Sequence, residues 1–244
     1  MRTRTMPSPA FLVLATLASL ILLPACGEAP EPRNPGPAPE VKTAPLQPRT
    51  ELAAVEAFNA YRLNASVGNG RIALDHVHPS YFDAVQRHID LALDAERDEV
   101  SALSFADRYA VFAMRVRVEP QTLRTITSRA FAELAIDEGW IETEIMAAAM
   151  VESVALLPEG SRQPDRAEIT VSLGGRTNPS TFPMVYQDGA WLVDLATMMD
   201  RGAASAETMA EMMGEDADEM MAVALSARAG KTEIVDVYAP IGRE

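Results

Sequence analysis

Beyond residue 50, apolar residues first recur at helical spacing and later alternate strictly, so helices are expected first and a sheet after them. Leu52, Val55, Phe58 and Tyr61 repeat behind Thr50, whose hydroxyl can cap a helix, with Glu51 in the first turn where the helix dipole favours an acid. That helix should run to about Ser66 and stop at Gly68-Asn69-Gly70. A second is expected after Pro79, with Tyr81, Phe82, Val85, Ile89 and Leu93 in one stripe. Ser104 to Asp107 has the spacing of a capping box, and Phe105, Tyr109, Phe112 and Val116 give a third helical face. Pro120 suits the first residue of a short helix holding Leu123 and Ile126. Ser128 is expected to cap another, with Phe131, Leu134 and Ala135 inward and Gly139 as its left-handed stop.

After Trp140 the period changes. Residues 146–157 are apolar and read as a strand, although their alanines also suit a helix. Ile169, Val171 and Leu173 fall on one face of a strand over 167–173. The runs 181–187 and 190–195 flank Asp188-Gly189, a two-residue signal for a tight hairpin. Three or four strands then form an antiparallel meander. Gly174-Gly175-Arg176 sits between strands and reads as a turn rather than a phosphate cradle. Helix returns over 203–229, with Gly214 as a break point and Gly230 as the stop.

The first fifty residues have a different texture. Arg2 and Arg4 precede an apolar run from Ala10 to Leu23, too short for a comfortable membrane span, and Leu23-Pro24-Ala25-Cys26 follows. That ending resembles the bacterial lipobox. The resemblance implies cleavage of a signal peptide, residues 1–25, and acylation of the Cys26 thiol. It also implies, with Gly27 at the next position, a protein held by lipid to the outer membrane and facing the periplasm. Cys26 is the single cysteine, so no internal disulfide forms. Residues 26–49 are then the lipidated cysteine and a tether: Pro30, Pro32, Pro35, Pro37, Pro39, Pro45 and Pro48 keep such a segment extended, with too few apolar residues to build a core.

Helices followed by a closing meander that ends in Asp188-Gly189-Ala190-Trp191-Leu192-Val193-Asp194 resemble the nuclear transport factor 2-like superfamily. The resemblance covers roughly residues 50–200. It implies an α+β fold in which N-terminal helices pack on a curved, cone-like antiparallel sheet, with the Met-rich helical segment 201–244 added at the C-terminus. That superfamily holds isomerases and cyclases that work in the cone, and also domains without catalysis, so the fold does not choose an activity.

Charge and candidate chemistry narrow the picture. The formal net charge is −14, and removal of Arg2 and Arg4 makes it more negative, which disfavours nucleic acid as a partner. His76, His78 and His88, near Asp75 and Asp83, are the chain's three histidines and its one metal-like grouping. A His-x-His pair places both rings on one face of an extended segment, yet Pro79 follows at once, and surface or capping roles suit all three. A base and a donor for isomerase chemistry would be sought in Asp194, Tyr186 and Tyr61, although Asp194 reads most simply as the solvated end of a strand. Met198, Met199, Met209, Met212, Met213, Met220 and Met221 suit helix packing before an adaptable docking face or copper(I) ligation. The interleaved Glu207, Glu211, Glu215, Asp216, Asp218 and Glu219 read as a solvated face. No cofactor motif is present. The expectation is a membrane-anchored module that binds or interacts without catalysis. The alternative is a small-molecule enzyme of the isomerase or cyclase type using a conical pocket.

Overall fold

The computed structural model describes residues 46–140, 143–157, 165–172, 180–202, 208 and 216–242. Outside the described residues lie the signal segment, Cys26 and the tether to residue 45. So do Leu173, Gly174-Gly175-Arg176, Met209, Met212, Met213 and Gly214, and Glu207, Glu211 and Glu215.

Mixed helices and a four-stranded antiparallel sheet make this an α+β protein. Helix α1 (Glu51–Ser66) starts where Thr50 accepts from the Ala53 amide, and Gly68 follows it at φ 67°. A single turn α2 (Gly70–Ala73) and a 3-10 turn (Leu74–His76) lead to α3 (Ser80–Asp94), the short α4 (Arg97–Ser101), α5 (Phe105–Arg117), α6 (Pro120–Thr125) and α7 (Ser128–Asp137). Ser104 caps α5 by accepting from the Asp107 amide, and Pro120 opens α6, as expected. The cap of α7 is Thr127, one residue earlier than expected, because its hydroxyl reaches the Ala130 amide. The alanine-rich stretch divides: α8 (Thr143–Ala148) precedes β1 (Met150–Leu156). The meander continues through β2 (Arg166–Ser172), β3 (Ser180–Gln187) and β4 (Ala190–Val193), paired in sequence order with Ile169 opposite Phe182 and Met184 opposite Val193. Asp188 at φ 52° and Gly189 at φ 80° form the tight hairpin, since a two-residue loop matched to strand twist needs both residues left-handed. The last strand ends at Val193 rather than 195, and a helix occupies 195–202. Helix α9 (Ala217–Arg228) has its own cap, Asp216, which accepts from the amides of Asp218 and Glu219.

Two apolar clusters hold these elements. In the first, α1 lies against the sheet: Ala54, Phe58 and Tyr61 meet Ile169, Phe182, Met184, Trp191 and Val193, all essentially inaccessible to water. Phe58 and Phe182 rings tilt together with centroids 4.9 Å apart. In the second, α3, α5, α7 and α9 converge through Ile89, Val111, Phe112, Phe131, Met221 and Leu225. Tyr81 touches both clusters. The C-terminal segment belongs to the helical cluster: α9 packs on α5, Val237 is buried, and the Tyr238 ring meets Phe112 edge-on at 5.1 Å.

Backbone donors and acceptors along the outer side of β4 find partners, as an exposed strand edge requires. The Val193 carbonyl accepts from the His78 amide at 2.9 Å, and the Trp191 amide donates to the Gln47 side-chain oxygen at 3.0 Å.

Candidate functional site

The three histidines occupy three different settings. His78 follows the 3-10 turn, beside the β3–β4 hairpin. The Ser80 amide and hydroxyl both approach its Nδ1, at 3.3 and 2.7 Å. Nδ1 therefore accepts, and Nε2 carries the hydrogen donated to Gln187 Oε1 at 2.7 Å. His76 lies on the same turn, and burial holds its pKa below the ordinary value against the opposing pull of Asp75. His88 is 6% exposed on the inner face of α3, with Nε2 2.7 Å from Asp107 Oδ1. Asp83 lies on the same helix, and Asp75 instead pairs with Arg129 at 2.6 Å. Among the described residues no three His, Cys, Asp or Glu side chains gather where one metal ion would be held.

His88 and Asp107 form a polar arrangement between α3 and the start of α5. Burial lowers the His88 pKa, with Asp107 the main opposing influence, Arg87 adding to the lowering and Asp200 opposing it. Burial also acts against the Asp107 charge, but hydrogen bonds from His88 and from Ser104, at 2.9 Å, keep its carboxyl below the usual range. At neutral pH the pair is a neutral imidazole donating to a carboxylate, which ties α3 to the start of α5. Arg87, more than half exposed, also donates to Asp107 at 2.5 Å.

The residues considered for isomerase chemistry are engaged elsewhere. Asp194 is not the solvated end of a strand but is 3% exposed. Its carboxylate accepts from the Thr197 amide (3.1 Å) and hydroxyl (2.8 Å), capping the 195–202 helix, and from Arg166 at 2.6 Å. Burial works against its charge, yet these three donors hold its pKa below the carboxylate range, the reverse of what a general base needs. Tyr61 is fully packed, and burial followed by Tyr81 pushes its pKa well above the ordinary phenol value. Burial likewise lifts Tyr81 to about 12. Tyr186 donates its hydroxyl to the Gln47 carbonyl at 2.5 Å.

A cleft of about 270 Å³ lies on the sheet beside the 195–202 helix, lined by Leu157, Arg166, Glu168, Pro183, Thr197 and Arg201. It falls below the usual range for small-molecule sites, about 300–1,000 Å³. Both of its cations are paired, Arg166 with Asp194 and Arg201 with Glu168 at 2.9 Å.

Among the described residues, two of the methionines from Met198 to Met221 lie in different clusters. Met198 packs on the helix–sheet cluster and Met221 on the helical one. Asp218 is not simply solvated: it accepts from Arg108 at 2.9 Å and from the Tyr238 hydroxyl, because α9 docks that face against α5.

Two arrangements are absent from the sequence reading. Arg115, 5% exposed, donates to four carbonyls: Ala92 (3.0 Å), Leu91 (2.9 Å), Ala95 (2.6 Å) and Val237 (3.0 Å). Its signal is an arginine within the buried face of α5, beside Phe112 and Val116. Gln47, at the end of the proline-rich stretch, contacts the β3–β4 hairpin through both backbone and side chain. No local pattern marks it.

No family model matches the chain, and comparison with curated proteins and with solved structures returned no match.

Proposed function

We propose that this protein is a lipid-tethered module of the bacterial cell envelope that binds or interacts without catalysing a reaction. Cys26 carries the lipid, and the domain stands off the outer membrane on its periplasmic side. The domain is nuclear transport factor 2-like, with the sheet closing around α1 and the cone filled. The observation that carries this reading is the filling between α1 and the sheet. Phe58, Tyr61, Ile169, Phe182, Met184 and Trp191 pack together there, each 2% exposed or less. The engagement of Asp194 by Thr197 and Arg166 supports it further, since the carboxylate nearest the closing strand is committed to structure. The net charge of −14 argues against nucleic acid as the partner.

The anchoring part is tested by metabolic labelling with a palmitate analogue and membrane fractionation. The unmodified protein should take up label and sediment with the outer membrane. Cys26→Ala should take up none and accumulate as uncleaved precursor. Normal cleavage and soluble release of that variant would overturn the lipid assignment.

A further inference from the structure

Residues 46–49 lie against the β3–β4 hairpin, joined to it by one main-chain bond and by side-chain contacts. The Gln47 amide donates to the Gly189 carbonyl at 2.6 Å, and its own carbonyl accepts from the Tyr186 hydroxyl at 2.5 Å. Its side-chain oxygen accepts from the Trp191 amide at 3.0 Å. Leu46 rests on Gly189, where a Cβ would fall 2.1 Å from Leu46 Cδ2, and Arg49 approaches Asp165 at 3.6 Å. One residue thus has its donor and two of its acceptors read by three groups of the hairpin.

Polar contacts of this kind, more than buried area, hold the segment. Leu46 is 80% exposed, so apolar burial contributes little there. Hydrogen bonds exchanged with water are worth about 1 kcal/mol each, too little to make such a segment inseparable from the fold. Beneath it the Trp191 and Tyr186 rings tilt together with centroids 5.2 Å apart, and the buried Trp191 indole Nε1–H has no acceptor among the described residues.

We propose that the edge formed by Tyr186, Gly189 and Trp191 is a binding site for an extended peptide, occupied in cis by residues 46–49. The inference rests on the interaction-module reading and gives its partner a chemical class: an extended segment presenting an apolar residue, a glutamine-like side chain, a proline and a basic residue. Peptides docked at sheet edges combine main-chain bonds with side-chain contacts; here one main-chain bond, from Gln47 to Gly189, is joined by side-chain contacts with Tyr186 and Trp191. The cis segment joins α1 within two residues, so its effective concentration at the site is on the order of millimolar or higher. A free peptide competes only when that segment is weakened.

The test uses the mature full chain in detergent, with Leu46→Gly, Gln47→Ser and Arg49→Ser introduced together. A fluorescent peptide of residues 44–50, Ala-Pro-Leu-Gln-Pro-Arg-Thr, is titrated by anisotropy. The triple variant should bind it saturably, and the unmodified chain should bind about tenfold more weakly or less. Replacing the peptide's glutamine with alanine, or adding Tyr186→Phe to the variant, should each weaken binding about tenfold. A folded variant that binds neither peptide, or both equally, overturns the site while leaving the small-molecule question to a mass measurement. Hydrogen exchange on the unmodified chain covers the case of a variant that does not fold. The Gln47 and Trp191 amides should then exchange about 100-fold faster than the Asp194 amide, which donates to Pro183 within the sheet. Equal rates would mean that the segment opens only with global unfolding, and the proposal would fall.

Discussion

Replacing Arg115 with methionine should be among the most damaging single changes in the helical half. The methionine keeps much of the aliphatic stem but removes every donor. The carbonyls of Ala92, Ala95 and Val237 each lose the guanidinium, and the Leu91 carbonyl retains only the Ala95 amide at 3.1 Å. Burial lowers the Arg115 pKa, with Asp236 and Glu96 opposing, and arginine still stays protonated. The native site thus holds a cation against the carbonyl end of α3, where the helix dipole is negative. Hydrogen bonds to charged groups contribute about 1.5–3 kcal/mol each, but the four share one side chain and are not additive. Leaving a buried carbonyl without its donor costs about 1–3 kcal/mol, and with several affected together but not additively we expect a loss of about 3–5 kcal/mol. Against a total stability of about 5–15 kcal/mol this is a large fraction. For a chain of this size it corresponds to a fall in Tm of roughly 6–20 °C. Urea unfolding followed by far-ultraviolet circular dichroism measures it. Arg115→Lys keeps the charge, cannot span four acceptors, and should lose about half as much. A loss below about 1 kcal/mol for methionine would refute the reasoning, because it would mean the carbonyls find water as readily as they find arginine.

Two further outcomes follow from the same kind of accounting. Asp194→Ala removes a helix cap and the buried partner of Arg166, and should cost about 2–4 kcal/mol in urea unfolding. A loss within error of zero would mean the cap is dispensable. Burial holds the His88 pKa below its ordinary value, so the unfolded chain takes up that proton first as the pH falls. Stability from this residue is present above about pH 6.5 and declines on acidification below it. The Tm should therefore fall between pH 7.5 and 5.5, and His88→Gln should flatten that fall; parallel pH profiles would show that His88 is not the group responsible.

Features that depend on one or two neighbouring residues were legible before any coordinates. Thr50, Ser104 and Pro120 mark helix starts through contacts within three residues, and Gly139 at φ 65° and Gly230 at φ 66° mark stops. Asp188-Gly189 announced the hairpin because few residue pairs tolerate two left-handed conformations. Of the alternating Ile169, Val171 and Leu173, the first two lie on the buried face of β2 and Leu173 lies outside the described residues. Alanine is apolar yet suits a helix, so an alanine-rich run does not mark where one period gives way to the other: α8 and the start of β1 share one apolar run. The polar arrangements were not legible, because each joins residues far apart in the chain. His88 meets Asp107 across 19 positions, Arg115 reaches Val237 across 122, and Gln47 reaches Trp191 across 144. Clustering along the sequence made His76, His78 and His88 look like a metal set. Folding sends His78 to the hairpin and His88 to α5, since one follows the 3-10 turn and the other lies eight residues into α3.

The reading of a lipid-tethered module with a filled helix–sheet core meets its sharpest test in mass spectrometry of the protein extracted from membranes in mild detergent. Masses are recorded under native conditions and again after denaturation. The account predicts a mature chain beginning at Cys26, heavier by its acyl groups, with the same mass in both states. A discrete extra mass that appears only in the native state would reveal a bound small molecule or metal. It would contradict the filled core and return the domain to the enzyme reading.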